Sequence, residues 1–233
     1  MNKIFFGDKD LSEYGVVPSG SGTYSAPARK RTMESVPGRN GALTFEDDSF
    51  ENISVKYPVG IRKPVGKHLD DCRNYLLSFS GYQRLEDTYH PEEFRLGVYE
   101  GGFEPAISVK GHIGTVDLTF NCKPQRFLKD GERDIEVTSG NELYNYTYFT
   151  ALPLVRAYGT GTLAIGNQTI RINSANVYTD IDCDTMDAFK GASNCNGNIE
   201  LLSGDFFKLK PGITGISFSG ITRVIIRPRW WKI

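Results

Sequence analysis

Three carboxylates at alternate positions, Asp180, Asp182 and Asp184, come closest of all residues in the sequence to the spacing of a metal site. This spacing is similar to the beginning of a calcium-binding loop. The sixth position of such a loop, however, is Thr185 rather than glycine, and the twelfth is Gly191 rather than glutamate. On a β-strand the three carboxylates would lie on one face. The pattern therefore predicts a solvated acidic stripe, with no metal and no cofactor.

The rest of the sequence shows no clear motif for acid–base catalysis or for phosphate binding. The three histidines, His68, His90 and His112, are far apart, and no nucleophile elbow or paired Ser/His/Asp spacing is present. Glycine-rich segments at 111–114 and 159–162 do not begin a helix, which a phosphate cradle requires, so they predict hairpin turns or bulges. We therefore expect no catalytic residues and a protein that is not an enzyme.

Aromatic residues near the second half of the chain are candidates for contact with a partner. Tyr144 and Tyr146 are two residues apart, and Trp230 and Trp231 lie almost at the end. Such side chains pack into a core or a subunit interface, where Trp, Tyr and Arg are enriched. Exposed on a β-sandwich, they would instead stack on sugar rings. Both alternatives, a partner contact and a glycan contact, remain open at this stage.

Composition limits the class of protein. The chain has 233 residues, a net charge of −1, and many Gly, Phe and Tyr residues, which favours short strands and tight turns. The neutral charge balance gives no field that would draw the protein to nucleic acid or an anionic membrane. No apolar run is long enough for a membrane helix, so we expect no membrane insertion. The four cysteines are widely spaced, which is typical of reduced thiols.

A long hairpin arm is predicted near the N-terminus. Two runs, 23–36 and 42–59, face each other across a Pro-Gly-Arg-Asn-Gly turn, and residues 46–48 predict a bulge or a strand break. The arm carries more polar than apolar positions and cannot bury itself, so it is either an exposed edge or an assembly surface. The candidate subunit-interface residues on it are Arg29, Arg31, Arg39, Asn40 and Phe45.

Two domains are predicted, both mainly β. The first, residues 1–128, contains the arm and one helix over 65–79, where apolar residues recur every three or four positions. A polar, glycine-containing joint at 129–134 begins the second, residues 129–233. About seven short strands separated by turn residues predict a β-sandwich there, and residues 185–189 predict one helical turn.

The order of four segments resembles a known family. They are F-N-C-K-P-Q-R-F at 120–127, L-P-L-V-R-A-Y-G at 152–159, L-K-P-G-I-T-G-I at 209–216, and R-P-R-W-W at 227–231. In this order and spacing they are similar to the distal tail proteins (Dit) of long-tailed phages that infect Gram-positive bacteria, and the similarity extends over nearly the whole chain.

This resemblance implies a structural role at the phage tail tip, assembled in the cytoplasm of the host. The N-terminal domains of that family close into a hexameric ring between the tail tube protein and the tail-associated lysin or hub protein, leaving a channel for DNA. The C-terminal domain is a galectin-like β-sandwich on which receptor-binding or other baseplate proteins dock. The alternative function is a carbohydrate-binding module that recognises a glycan on the host cell surface.

Overall fold

The computed structural model describes residues 2–20, 22, 24–108 and 114–233. Two compact units divide the chain: unit 1 extends to Arg126 and includes Ile233, and unit 2 spans Phe127–Lys232. The predicted boundary at 128/129 falls two residues after the start of unit 2. Predicted features that include His112 or the glycine at position 111 lie outside the described residues.

Unit 1 is one large antiparallel sheet, one helix and a separate two-stranded arm. Its strands are β1 (Ile4–Phe6), β2 (Lys9–Asp10), β3 (Val16–Pro18), β4 (Arg29–Ser35), β5 (Ala42–Phe50), β6 (Ile53–Ile61), β7 (Gln83–Asp87), β8 (Glu93–Tyr99), β9 (Ala106–Ile107) and β10 (Gly114–Cys122), and β11 (Arg126–Leu128) crosses the boundary between the units. The strand order in the main sheet is β2-β1-β7-β8-β10-β6-β3, and a short 3-10 helix covers Leu11–Tyr14.

The main sheet is built around the pair β6 and β10. Both strands alternate strictly between buried and non-buried residues, as expected for strands with one face on a core. Their register places Val59 opposite Val116 and Val55 opposite Phe120, so the buried side chains of the two strands meet on the same face. This pair positions the strands that flank it on both sides.

Helix α1 (Val65–Leu77) packs on the core of unit 1 with its apolar face, as the sequence predicted. The buried residues Val65, Leu69, Cys72 and Leu76 lie on one face of the helix. The predicted end at residue 79 was wrong, because the backbone N–H and the Oγ of Ser78 both donate to the Tyr75 carbonyl oxygen and close the last turn.

The arm is shorter than predicted. Strands β4 and β5 form the hairpin, but the second run does not continue to residue 59, because β6 begins at Ile53 and belongs to the main sheet. Residues of β6 alternate into the core, whereas no residue of β5 is buried. The predicted bulge is present: the register shifts between Arg29 and Arg31, and Asp48 has a φ of 61°.

Unit 2 is also antiparallel. Its strands are β12 (Ile135–Val137), β13 (Glu142–Asn145), β14 (Leu154–Ile165), β15 (Gln168–Ile172), β16 (Tyr178–Asp182), β17 (Asp187–Lys190), β18 (Ser193–Asn194), β19 (Ile199–Leu201), β20 (Gly212–Arg227) and β21 (Trp231–Lys232), with short 3-10 helices at Lys129–Glu132 and Asn196–Asn198. The helical turn predicted at 185–189 was wrong. Residues 183–186 form the turn of a hairpin in which Asp182 pairs with Asp187, and Met186 adopts a φ of 56°.

The two long strands of unit 2, β14 and β20, bend together at a glycine bulge. On one side of the bulge β14 pairs with β16, and on the other it pairs with β15. Gly161 has a φ of 151°, and a Cβ there would lie 2.1 Å from the Ser219 carbonyl oxygen, so only glycine fits. Buried residues from both halves, such as Val155 and Leu163, belong to one core. The predicted mainly β fold is confirmed.

Candidate assembly interface

The hairpin arm, β4 and β5 with their connecting turn, is exposed over most of its length. No residue of either strand is buried. Two large apolar side chains of the strands are open to solvent: Met33 is 63% exposed and Phe45 is 55% exposed. Methionine and aromatic residues are enriched at protein–protein interfaces, so these two side chains are candidates for contact with a partner.

Apolar groups lie on both faces of the arm. Directly opposed residues of an antiparallel pair share a face, and successive residues alternate between faces. Phe45 lies opposite Thr32, and Met33 lies opposite Thr44, so the two large apolar side chains point to opposite sides of the ribbon. The arm therefore has no single apolar face that could fold down onto unit 1.

The five candidate interface residues are all on the arm, but they do not form one cluster. Arg31 is paired with Glu46 at 3.0 Å, and Arg29 contacts Asp48 at 3.4 Å. Arg39 and Asn40 lie instead in the turn between the strands. Two of the three candidate arginines are thus held by acidic residues of the arm itself, in exposed pairs worth about 0–1 kcal/mol each.

The candidate aromatic residues of unit 2 differ in their surroundings. Trp230 is 5% exposed and lies in the core, and the Trp231 ring stacks on Phe149 at 4.4 Å between centroids. Tyr146 donates its hydroxyl to Asp130 at 2.5 Å; burial and this hydrogen bond raise the pKa of Tyr146. Tyr144, by contrast, is 65% exposed.

A polar groove of 680 Å³ lies beside Tyr144 in unit 2. Ile213, directly opposite Tyr144 in the β13–β20 pair, is one of its lining residues. Asn167, in the turn between β14 and β15, and Gln168, the first residue of β15, provide amide groups, and Lys210 provides a cation. This groove could not be predicted from the sequence, because its walls come from segments about 25 to 75 residues apart.

The predicted solvated acidic stripe at 180–184 was wrong for Asp180 and Asp182, whereas Asp184 is exposed as predicted. Asp180 is 3% exposed and Asp182 is 8% exposed. Arg156 donates to the two carboxylate oxygens of Asp180 at 2.6 and 2.8 Å, and Arg229 donates to those of Asp182 at 2.7 and 2.8 Å. Buried carboxylates require such partners. The two carboxylates are therefore paired with arginines of unit 2 instead of forming a solvated stripe.

The charge state of the Asp182–Arg229 pair follows from its contacts. Burial of Asp182 acts to raise the pKa of its carboxyl, but the hydrogen bonds and the charge of Arg229 outweigh this and lower the pKa. The same hydrogen bond raises the pKa of Arg229 despite the burial of its guanidinium. Both groups are thus charged at neutral pH, and Asp182 has no proton to exchange with a substrate.

Thiol chemistry is also suppressed. All four cysteines are free, and burial raises the pKa values of Cys72, Cys122 and Cys183 to about 12. A thiol with such a pKa is almost entirely protonated at neutral pH and is a poor nucleophile or metal ligand.

The described part of the chain has neither a metal-binding cluster nor a helix that could span a membrane. Its residues contain no group of three His, Cys, Asp or Glu side chains arranged to hold a metal ion. The helices described there are too short or too polar to span a membrane.

Comparisons with known proteins identify similar folds. No protein-family profile and no curated protein sequence matches the chain. The solved structure of the Dit protein (gp 19.1) of phage SPP1, a paradigm of the hub adsorption apparatus of phages infecting Gram-positive bacteria, matches with a TM-score of 0.78 and 13% identity over 100% of both chains. A chain of the phage P2 baseplate, in its activated conformation with calcium, matches with a TM-score of 0.54 and 10% identity over 97% of both chains.

The same P2 baseplate with strontium gives a TM-score of 0.53 at 10% identity, again over 97% of both chains. At these identities the comparisons concern the fold, and it is the fold that the four sequence segments implied. The chain has the fold of SPP1 Dit along its entire length.

Proposed function

We propose that this protein is a structural component of a phage tail, located in the hub at the tail tip, where six copies form a ring. The observation that carries the proposal is the match to SPP1 Dit over the whole of both chains, including the arm. In the proposed ring, unit 1 forms the closed assembly and unit 2 is available for other baseplate or receptor-binding proteins.

The exposed arm supports a ring of identical subunits. A heterologous contact, in which one surface of a subunit binds a different surface of the next, closes into a ring when the rotation between copies is suitable. The arm provides one such surface, with Met33 and Phe45 as the apolar contacts and Arg39 and Asn40 at its tip. The ring would join the tail tube protein on one side to the tail-associated lysin or hub protein on the other.

A channel for DNA is consistent with the charge of the chain. The net charge is −1, with 27 basic and 28 acidic residues. A strongly basic channel would bind phosphates through the release of counterions and would retain the DNA. The near-neutral balance of the chain therefore supports passage of DNA without specific binding.

Light scattering of the purified full-length chain tests the ring. Six copies of 26.0 kDa have a mass of about 156 kDa. The double variant Met33→Ser, Phe45→Ser should shift the mass towards 26.0 kDa. The matched control is Met186→Ser with Leu202→Ser: Met186 is also 63% exposed, but both residues belong to unit 2 and not to the arm.

A monomer at every concentration would contradict a ring that assembles by itself, and equal masses for the two double variants would contradict the role of the arm.

The position of the protein in the phage particle is tested separately. A gold-labelled antibody against the chain should bind phage particles at the end of the tail, and labelling of the capsid or of the tail shaft alone would overturn the tail-tip proposal.

The exposed Tyr144 beside the polar groove makes glycan binding the second candidate function. The ring of Tyr144 and the apolar Ile213 would contact a sugar face, while Asn167 and Gln168 would hydrogen-bond to hydroxyls. A glycan array should then show binding that Tyr144→Ala abolishes and Tyr148→Ala, a change at another exposed tyrosine, leaves unchanged. An array without binding would eliminate this function.

A further inference from the structure

A buried polar cluster in unit 1 connects β6, β7 and β8. The Tyr57 hydroxyl donates to Asp87 Oδ2 at 2.6 Å. Asp87 Oδ1 accepts the backbone N–H of His90 at 2.8 Å and lies 3.1 Å from His90 Nδ1. Since a carboxylate only accepts hydrogen bonds, Nδ1 must carry a proton. In the neutral ring, His90 Nε2 is then an acceptor.

Two buried groups of this cluster have unused hydrogen-bonding capacity. Within the described residues, His90 Nε2 has no hydrogen-bond partner, and neither have Nη1 and Nη2 of Arg95. Arg95 is only 7% exposed, so its guanidinium cannot turn to bulk water. Leaving a buried donor unsatisfied costs about 1–3 kcal/mol, and more for a charged group, so such atoms are normally paired with ordered water.

The unsatisfied atoms belong to residues that line one small cavity. Its walls are formed by Tyr57, Leu85, Asp87, His90, Glu93, Phe94 and Arg95. Its volume is about 10 Å³, close to the minimum that holds one water molecule. Arg95, with two unpaired donor nitrogens, and His90, with an unpaired ring nitrogen, thus line the same space, which has the right size for a molecule that can both accept and donate.

We propose that this cavity is a binding site for a single structural water, which accepts from the Arg95 guanidinium and donates to His90 Nε2. A water satisfies both sides, because its oxygen accepts while its hydrogens donate. A chloride ion would accept hydrogen bonds from Arg95 but could not donate one to His90 Nε2. The carboxylates of Asp87 and Glu93 in the cavity wall also disfavour an anion.

The proposed water holds the turn that contacts the segment leading into the arm. The Tyr24 ring lies edge-on against the His90 ring, with 5.0 Å between centroids. Tyr89, the neighbour of His90, donates its hydroxyl to the Gly20 carbonyl oxygen at 3.0 Å. With Asp87 on Nδ1 and the water on Nε2, the His90 ring is fixed at both nitrogens and presents a fixed surface to Tyr24. This inference does not depend on ring formation.

NMR spectroscopy of the full-length chain tests the site. Nitrogen-15 labelling of histidine should show His90 as the Nδ1–H tautomer, and a long-lived water should give a cross-peak to the carbon-bound ring protons of His90. The variant Arg95→Met should abolish that cross-peak. The control Arg73→Met removes an exposed arginine of α1 and should leave it unchanged.

If Arg95→Met does not fold, the unmodified chain still decides the question by two measurements. A crystal structure should show one ordered water in contact with both Arg95 and His90. An Nε2–H tautomer for His90, a cavity without water, or a bromide peak at the site in crystals grown in bromide would each overturn the proposal.

Discussion

Replacing Arg229 by methionine should destabilise unit 2 by about 3 kcal/mol. Methionine, like arginine, has a long unbranched side chain. The backbone at position 229 has a φ of 58°, a conformation that is equally unfavourable for arginine and for methionine, so the substitution mainly removes the charge. Breaking a buried ion pair costs roughly 3–5 kcal/mol, because one charge remains buried alone. The Arg229 side chain is 26% exposed, and in the variant the backbone N–H groups of Asp184 and Thr185 still donate to Asp182. We therefore expect a loss at the lower end of this range.

Tryptophan fluorescence during urea unfolding is the assay. The chain has two tryptophans, Trp230 and Trp231, and both belong to unit 2. The signal therefore reports the unit that contains the ion pair. The matched control is Arg227→Met, the same substitution two residues away, where the pair with Asp134 is exposed on both sides. We expect the control to lose less than about 1 kcal/mol.

The pH dependence of the loss has a definite sign. The pKa of Asp182 is lowered in the folded protein, so its contribution to stability is present above the unfolded pKa of about 4 and is lost as the pH falls through the folded value. The difference between the original protein and Arg229→Met should shrink below pH 4 or so. A loss under about 0.5 kcal/mol at neutral pH, or a difference that grows with acidity, would refute the pairing argument.

Three further predictions concern the glycine bulge, the buried cluster and the thiols. Gly161→Ala should lower the free energy of unfolding by at least about 3 kcal/mol in the same urea assay, because alanine is strained at this φ and its Cβ would meet a backbone oxygen. The control Gly197→Ala, at a position with open space around it, should lower it by less than about 1 kcal/mol, and equal losses for the two variants would contradict the prediction. Tyr57→Phe should cost about 1–3 kcal/mol in thermal unfolding followed by circular dichroism, because its buried carboxylate partner loses a donor; the control Tyr148→Phe, at a highly exposed position, should be neutral. A thiol reagent should label Cys195 first in the folded protein, and early labelling of a buried thiol would contradict the burial of the other three, which are Cys72, Cys122 and Cys183.

The features that could be predicted from the sequence are those that depend on local periodicity. The apolar stripe of α1, the alternation of β10 and the turn of the arm each follow from residues within about twenty positions of one another. The end of β5 at Phe50 was missed because the run 42–59 is continuous in sequence, while its two parts belong to different sheets.

The features that could not be predicted depend on distant residues. Asp180 is 24 residues from Arg156, and Asp182 is 47 residues from Arg229, so the sequence alone shows three acids and not two ion pairs. Their burial is decided by strand register: β14 pairs with both β16 and β20, which places Arg156 directly opposite Asp180. The polar groove beside Tyr144 was missed for the same reason.

The two faces of the arm bear on how a ring would be built. A two-stranded hairpin is at most marginally stable by itself, and this arm has no buried residue to support it. Fully burying a methionine or phenylalanine side chain contributes roughly 1.5–3 kcal/mol each. A neighbour that covered only the Phe45 face would leave Met33 in water and forgo about half of that gain. In the proposed assembly we therefore expect the arm to be enclosed from both sides. Met33→Ser and Phe45→Ser as single variants should then each weaken the assembly, and a ring that tolerates either change alone would show that only one face of the arm is used.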